Sequence, residues 1–284
     1  MRNILLTISY DGTGFSGWQR QEGRRTVQAE LERALAIIHK ADTPLAGSGR
    51  TDAGVHAAGQ TATFLSPVKN MPPEKYIPAL NSHLPRDIRV MKSLEVSPDI
   101  HARFSATFRT YRYFIHCGGT AFAHLQRYVW SVHRYPRVAA LNRMASFLRG
   151  EIDCSTFSAA GDQSKSKCRY LEKAVFYTEG NTLVFEITAN AFLWKMVRSL
   201  TGTLLHLEQK DFDWRYFGDI LASGDRALAG PTAPPQGLFL WSVSYEGKRA
   251  GPRLQKFAAL SPEITPFPAG VETAAGSIKQ TELS

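Results

Sequence analysis

Gly47-Ser48-Gly49-Arg50-Thr51-Asp52-Ala53-Gly54-Val55-His56-Ala57 places an arginine, a carboxylate and an imidazole on a short stretch interrupted by glycines. Glycine reaches left-handed backbone angles and lets the main chain lie close to a ligand, and the apolar runs on either side fix such a loop to a scaffold. The stretch reads as a reactive loop, and exclusion narrows its chemistry. A phosphate-binding loop needs Gly-x-x-x-x-Gly-Lys-Ser/Thr, whereas Gly54 is followed by Val55 and His56. A dinucleotide fingerprint needs glycine three places after Gly49, where Asp52 would repel a pyrophosphate. His56 has no second His, Cys or Glu at the spacing of a helical zinc motif, so it reads as structural and no metal is implied. What remains is one carboxylate with an arginine close by, a pair equally at home in a solvated surface turn.

Outward from the loop, ordered elements follow on both sides. Gln60 to Leu65 alternates polar with apolar and predicts a strand, which holds Asp52 between ordered segments. On the other side, Asn3 to Tyr10 predicts a strand running into the turn Asp11-Gly12-Thr13-Gly14. Thr26 is an N-cap for a helix through Lys40, with Val27, Leu31, Leu35 and Ile38 as one apolar stripe. Pro72-Pro73-Glu74 opens a second helix through Leu80, Asn81 to Pro85 closes it with His83 as a turn residue, and Ile88 to Val96 predicts another strand.

Arg103 to His116 interleaves basic and aromatic residues. On a strand, Arg109, Tyr111 and Tyr113 share one face, and Thr110, Arg112 and Phe114 share the other. Two readings stay open: a sheet that faces nucleic acid, with rings for bases and arginines for phosphates, or a half-buried sheet with its tyrosines in the core. Gly118 to His133 reads as a loop, Arg137 to Arg149 has helical spacing, and Ser158 to Lys167 reads as a mobile basic loop. Arg169 to Thr178 and Thr182 to Thr188 predict a hairpin around Gly180-Asn181. Helices follow at about Leu193 to Leu207, with Lys195 and Arg198 near its start, and at Trp214 to Ala222, before a strand from Leu238 to Tyr245. Beyond Gly247 the composition turns to Pro, Ala, Ser and Thr without periodicity, which predicts a flexible tail over 247–284.

The chain has 284 residues, enough for about two domains. Its 34 Lys and Arg against 25 Asp and Glu give a net charge of +9, which suits a polyanionic partner. Cys117, Cys154 and Cys168 form no close pair, which excludes a zinc ribbon or a disulfide framework and fits a reducing cytoplasm. Neither a signal peptide nor a run long enough to cross a membrane is present in the sequence, so a soluble protein is expected.

Arg50-Thr51-Asp52-Ala53-Gly54-Val55-His56-Ala57 resembles the active-site motif of the tRNA pseudouridine synthase A family. Further stretches resemble that family in the same order: Tyr10-Asp11-Gly12-Thr13 through Gly17-Trp18-Gln19, Thr26-Val27-Gln28, His101 to Ala106 into Arg109 to Tyr113, Ala191-Phe192-Leu193 into Met196-Val197-Arg198, and Ala233 to Leu238. The resemblance runs from about Arg2 to Tyr245. It implies an α+β fold of two ferredoxin-like α/β halves about a pseudo-twofold, here 1–104 and 105–246, sharing a mostly antiparallel sheet with a central active-site cleft. It further implies Asp52 as the catalytic residue, Tyr111 against the uracil and Arg198 in the cleft. The implied substrate is the anticodon arm of tRNA, at uridines thirty-eight to forty, and the implied assembly is a homodimer that shares one tRNA.

The implied reaction breaks the bond from C1′ to N1 of uridine and remakes it from C1′ to C5. No electron or phosphate is exchanged, so no cofactor is needed. One carboxylate suffices, by attack on the sugar carbon, by attack on uracil C6, or by removal of the C2′ proton, and the residues leave these routes open. A carboxylate in a site that has expelled water needs a paired cation, for which Arg198 is the candidate. Arg50 is placed to fill the gap left by a flipped nucleotide. Two rivals are a non-catalytic RNA-binding protein on the same sheets and a glycoside hydrolase, which uses paired carboxylates. Within the family, a synthase acting at another RNA position is the third.

Overall fold

The first strand, β1 (Arg2–Tyr10), puts Ile4, Leu6, Ile8 and Tyr10 on one face and Asn3, Leu5, Thr7 and Ser9 on the other, and is buried along most of its length. In the computed structural model, which describes residues 1–246, it is followed by α1 (Val27–His39), β2 (Ala46–Gly47), β3 (His56–Ser66), α2 (Tyr76–His83) and β4 (Ile88–Val96). The second half runs β5 (Phe108–Cys117), β6 (Trp130–Val132), α3 (Val138–Ala145), β7 (Gly150–Asp153), β8 (Cys168–Glu179), β9 (Thr182–Ala189), α4 (Met196–Gln209), α5 (Trp214–Ser223) and β10 (Leu238–Ser244). The expected 247–284 tail lies outside the described residues.

All ten strands form one sheet, ordered β4-β1-β3-β10-β5-β9-β8-β7, with β2 beside β3 and β6 beside β5. Pairing is antiparallel except between β10 and β3 and between β5 and β6. The fold is thus α+β with a mostly antiparallel sheet. Each half repeats one order: β4-β1-β3-β2 in the first and β10-β5-β9-β8 in the second, the fourth-first-third-second arrangement of a ferredoxin-like βαββαβ unit. The last strand, β10, joins the halves by lying between β3 and β5. Its register sets a row of partners across five strands, Tyr10, Ala57, Leu240, Tyr111 and Ile187, which brings the end of the reactive loop level with Tyr111.

Helix α1 forms as its pattern predicts. Thr26 caps it, Val27, Leu31, Ala34 and Leu35 are fully buried, and Ile38 packs at the margin. Burial of each large apolar side chain there contributes about 2 kcal/mol. One continuous core runs under both halves, and a smaller cluster on the other face of β5 holds Phe114, Val184, Phe239 and Trp241. Ala121 and Val129 close that cluster, so the segment between β5 and β6 packs on the sheet rather than reaching out as an open loop.

Several expectations shift. Strand β3 starts at His56, earlier than Gln60, because its first residues pair with both β1 and β10. Asn81 does not close α2. Its side chain bonds both backbone groups of Val90 and ties the helix to β4. Ser158 to Lys167 is not a free basic loop: Asp162 at its centre accepts from Lys167 Nζ at 2.7 Å, Ser164 N at 2.8 Å and Trp194 N at 2.6 Å. Burial alone would push the Asp162 carboxyl up, but these donors outweigh it and hold it well below the carboxylate range.

On α4, Glu208 has a side chain only 1% exposed and lies against Arg134 and Arg137. Burial raises its pKa, and the hydrogen bonds from Arg134 and from the Arg137 N–H and guanidinium lower it further than burial raises it, so it falls below its ordinary 4.5. A carboxyl with a depressed folded-state pKa adds stability above its unfolded value, and that stability is lost as pH falls through the folded value. Replacing Glu208 by Gln is expected to cost about 3 kcal/mol in urea unfolding at neutral pH. Below pH 4.5 the difference between variant and wild type should shrink.

Candidate active site

The reactive loop leaves β2 and enters β3, and nearly every motif singled out in the sequence converges on it. Tyr10 Oη is 2.8 Å from Thr51 Oγ1, and Trp18 N–H donates to Thr51 O at 3.1 Å. Gly12 fits directly under the loop, where a Cβ would sit 2.0 Å from Val55 O. His56 is fully buried. Gly12 N–H donates to its Nδ1 at 3.0 Å, and its Nε2 lies 3.1 Å from Gln236 O, so the ring joins the first turn to the last one, as a structural histidine does. Of the glycines in the loop only Gly54 has a positive φ, 76°, and it packs on Pro235.

Asp52 sits at the exposed end of this cradle, its side chain 20% exposed. Arg198 Nη1 donates to its Oδ2 at 3.0 Å across the two halves of the chain. The guanidinium is itself fixed, because Nε donates to Ala233 O at 2.8 Å while Ala233 N–H donates to Arg198 O at 3.0 Å. The other oxygen, Oδ1, accepts from Trp194 Nε1 at 2.9 Å. Tyr111 flanks the pair. It is 8% exposed and stands edge-on to Phe192 at 5.0 Å. Burial, and then the Asp52 charge, push its phenol pKa up, so it stays protonated near neutral pH. No hydrogen bond from its hydroxyl is made within the described residues.

Of the residues singled out in the sequence, Asp52, Arg198 and Tyr111 are brought together and Arg50 is not. Arg50 is exposed, and its Nε donates to Gln19 Oε1 at 3.2 Å, away from the carboxylate. Lys195 also turns away, its ammonium 5.0 Å above the Trp194 ring. The strand face read as either nucleic-acid-facing or core is core. Tyr113 is fully buried and donates to Pro234 O. Arg109 is buried and donates to the carbonyls of Ala106, Asn190, Ser48 and Arg103, which anchors the start of the reactive loop. On the opposite face Arg112 lies 4.1 Å from the Trp241 ring and pairs with Glu186. Trp194 escaped the reading of the sequence. It lies two residues before α4, across the left-handed Lys195, so no helical spacing to Arg198 marks it in the sequence.

An α+β sheet that presents one carboxylate, held by a guanidinium and an indole N–H beside a tyrosine, defines a carboxylate-centred site at the seam of two repeated halves. A profile of the family described as tRNA pseudouridine synthase matches residues 6–105 and 144–246, on either side of the segment that carries Tyr111. The tRNA pseudouridine synthase A of Treponema denticola is 62% identical over 249 residues, covering 86% of this chain and 93% of the relative. That of Treponema pallidum is 52% identical over 236 residues, 81% and 84% of the two chains. That of Brachyspira hyodysenteriae is 43% identical over 240 residues, 84% and 96%. The chain belongs to the tRNA pseudouridine synthase family.

The loop geometry is testable apart from chemistry. A Cβ at position 54 would carry an L-residue into the left-handed region and meet Pro235 Cγ at 3.0 Å. Gly54→Ala is expected to lower stability by about 1–2 kcal/mol in urea unfolding.

Proposed function

We propose that the chain isomerises uridine to pseudouridine in the anticodon arm of tRNA, with Asp52 as the catalytic carboxylate. Membership of the family and the names of its relatives support the reaction class. The observation that carries the assignment of the residue is the Asp52 carboxylate itself, reachable at the cleft yet held on both oxygens.

The reaction exchanges one bond for another within a single nucleotide. The C1′–N1 bond breaks, uracil turns over, C1′–C5 forms, the C5 proton leaves and N1 gains one. Asp52 starts this as an anion compensated by Arg198, acting on the sugar or on the base. Tyr111 offers its ring and its hydroxyl. A ring face holds a rotating uracil without fixing one orientation, and the hydroxyl can relay the C5 proton by passing its own proton to water or to N1 as it accepts one.

Arg50, exposed and bonded to Gln19, is the candidate to enter the stack vacated by a flipped nucleotide. The net charge of +9 supports binding to RNA phosphates, and recognition by shape and phosphate allows neighbouring uridines, thirty-eight to forty, to be served by one site. The assembly proposed is a homodimer sharing one tRNA, with halves 1–104 and 105–246 flanking the cleft. No described helix is long and apolar enough to cross a membrane, and the proposed location is the cytoplasm.

The direct test is release of tritium from C5 of uridine in an unmodified tRNA transcript. Wild type is expected to release it and Asp52→Ala to show none while binding RNA within several-fold. Release by a folded Asp52→Ala protein would refute the catalytic role. Tyr111→Phe keeps the ring and should keep RNA affinity within about threefold while slowing release by roughly a hundredfold. Unchanged release would remove the proton role from the hydroxyl.

A further inference from the structure

We infer that Trp194 is a positioning residue that sets the plane of the Asp52 carboxylate; the inference rests on the reading of Asp52 as the catalytic group. A carboxylate torsion is broad, so a single donor leaves it free to pivot. With Arg198 on Oδ2 and Trp194 on Oδ1, each oxygen has a fixed partner and the plane of the carboxylate is set.

The protein builds a socket for this indole. Trp194 N–H donates to Asp162 Oδ2 at 2.6 Å, and Trp194 O accepts from Ala159 N at 3.0 Å. Asp162, its side chain 5% exposed, is pinned in turn by Lys167. Gly161 lies against the ring, where a Cβ would be 2.7 Å from Cζ3. Lys195, between the indole and α4, is left-handed at φ 60°, an uncommon angle for a residue with a side chain. That turn lets Trp194 and Arg198 reach the same carboxylate. The ring is nevertheless 47% exposed, so packing alone does not account for so much anchoring of one side chain. The 158–167 segment, read from the sequence as a mobile basic loop, instead supports the site through Trp194.

Two variants test this by separating the N–H from the ring. Trp194→Phe and Trp194→His each put a smaller ring in place of the indole, and only His keeps an N–H. In single-substrate kinetics with a tRNA transcript, Trp194→Phe is expected to lower kcat about 30-fold with KM within about threefold, and Trp194→His to recover most of that loss. Equal impairment of the two, or a Phe variant with wild-type kcat, would overturn the inference. An independent readout is the indole N–H resonance of Trp194 in the free protein, identified by its absence in Trp194→Phe. Asp52→Ala should move that resonance, and an unmoved resonance would also overturn the inference. Asp52→Asn measured alongside separates the two readings. If it retains turnover, the role of Asp52 falls and the positioning role with it; if it is inactive while Trp194→Phe is unimpaired, only the inference about Trp194 falls.

Discussion

The structure depends on where β10 goes. Strands β3 and β5 each have a central edge that would otherwise present unpaired N–H and C=O groups, and β10 satisfies both, parallel to one and antiparallel to the other. Without it there would be two small sheets, each with an open edge. With it the two halves share a row of residues from Tyr10 to Ile187, and the reactive loop and Tyr111 are brought level on one surface. The segment leading into β10 then holds the site. Ala233 grips Arg198, Pro234 accepts from Tyr113, Pro235 bears on Gly54 and Gln236 faces His56. Motifs scattered through the sequence thus have a common physical purpose, which is to fix one short loop from several directions.

That purpose separates the charged groups into two kinds. Arg109, Glu208 and Asp162 are buried or nearly so and are saturated with partners, so they act as internal ties whose removal would strand polar groups. Asp52 and Arg198 are also paired, but at a surface where a ligand can reach them. What separates Asp52 from Asp162 and Glu208 is therefore access. Each is paired with a cation, and only one of them has a free approach.

Much of this was legible in the sequence where periodicity and capping agree. Thr26 with its apolar stripe gave α1, and alternation gave β1, β4, β8 and β9 within a few residues. Strands β2, β6 and β7 are too short to carry a pattern and exist because a long neighbour needs a partner. The alternation in β5 separated Arg109, Tyr111 and Tyr113 from Thr110 and Arg112, but alternation does not say which face is covered, and that depended on contacts from distant segments such as Pro234 and Ser48. Asp52 was visible through its motif and Arg198 through a second motif on the far side of the chain. Trp194 was not, because an indole next to a helix start reads as apolar cover and its N–H as incidental.

The central place of β10 also bears on how the protein is made. A chain emerging from the ribosome has both halves almost complete while the gap between them is still open, since residues 238–244 come after all other described elements. Until they arrive, two sheet edges are exposed in the middle of the molecule, and the segment that carries the Ala233 carbonyl to Arg198 has no strand to anchor it. Closing the gap seals both edges and fixes the surroundings of Asp52 in one event, so no chain that stops short of β10 holds that arrangement.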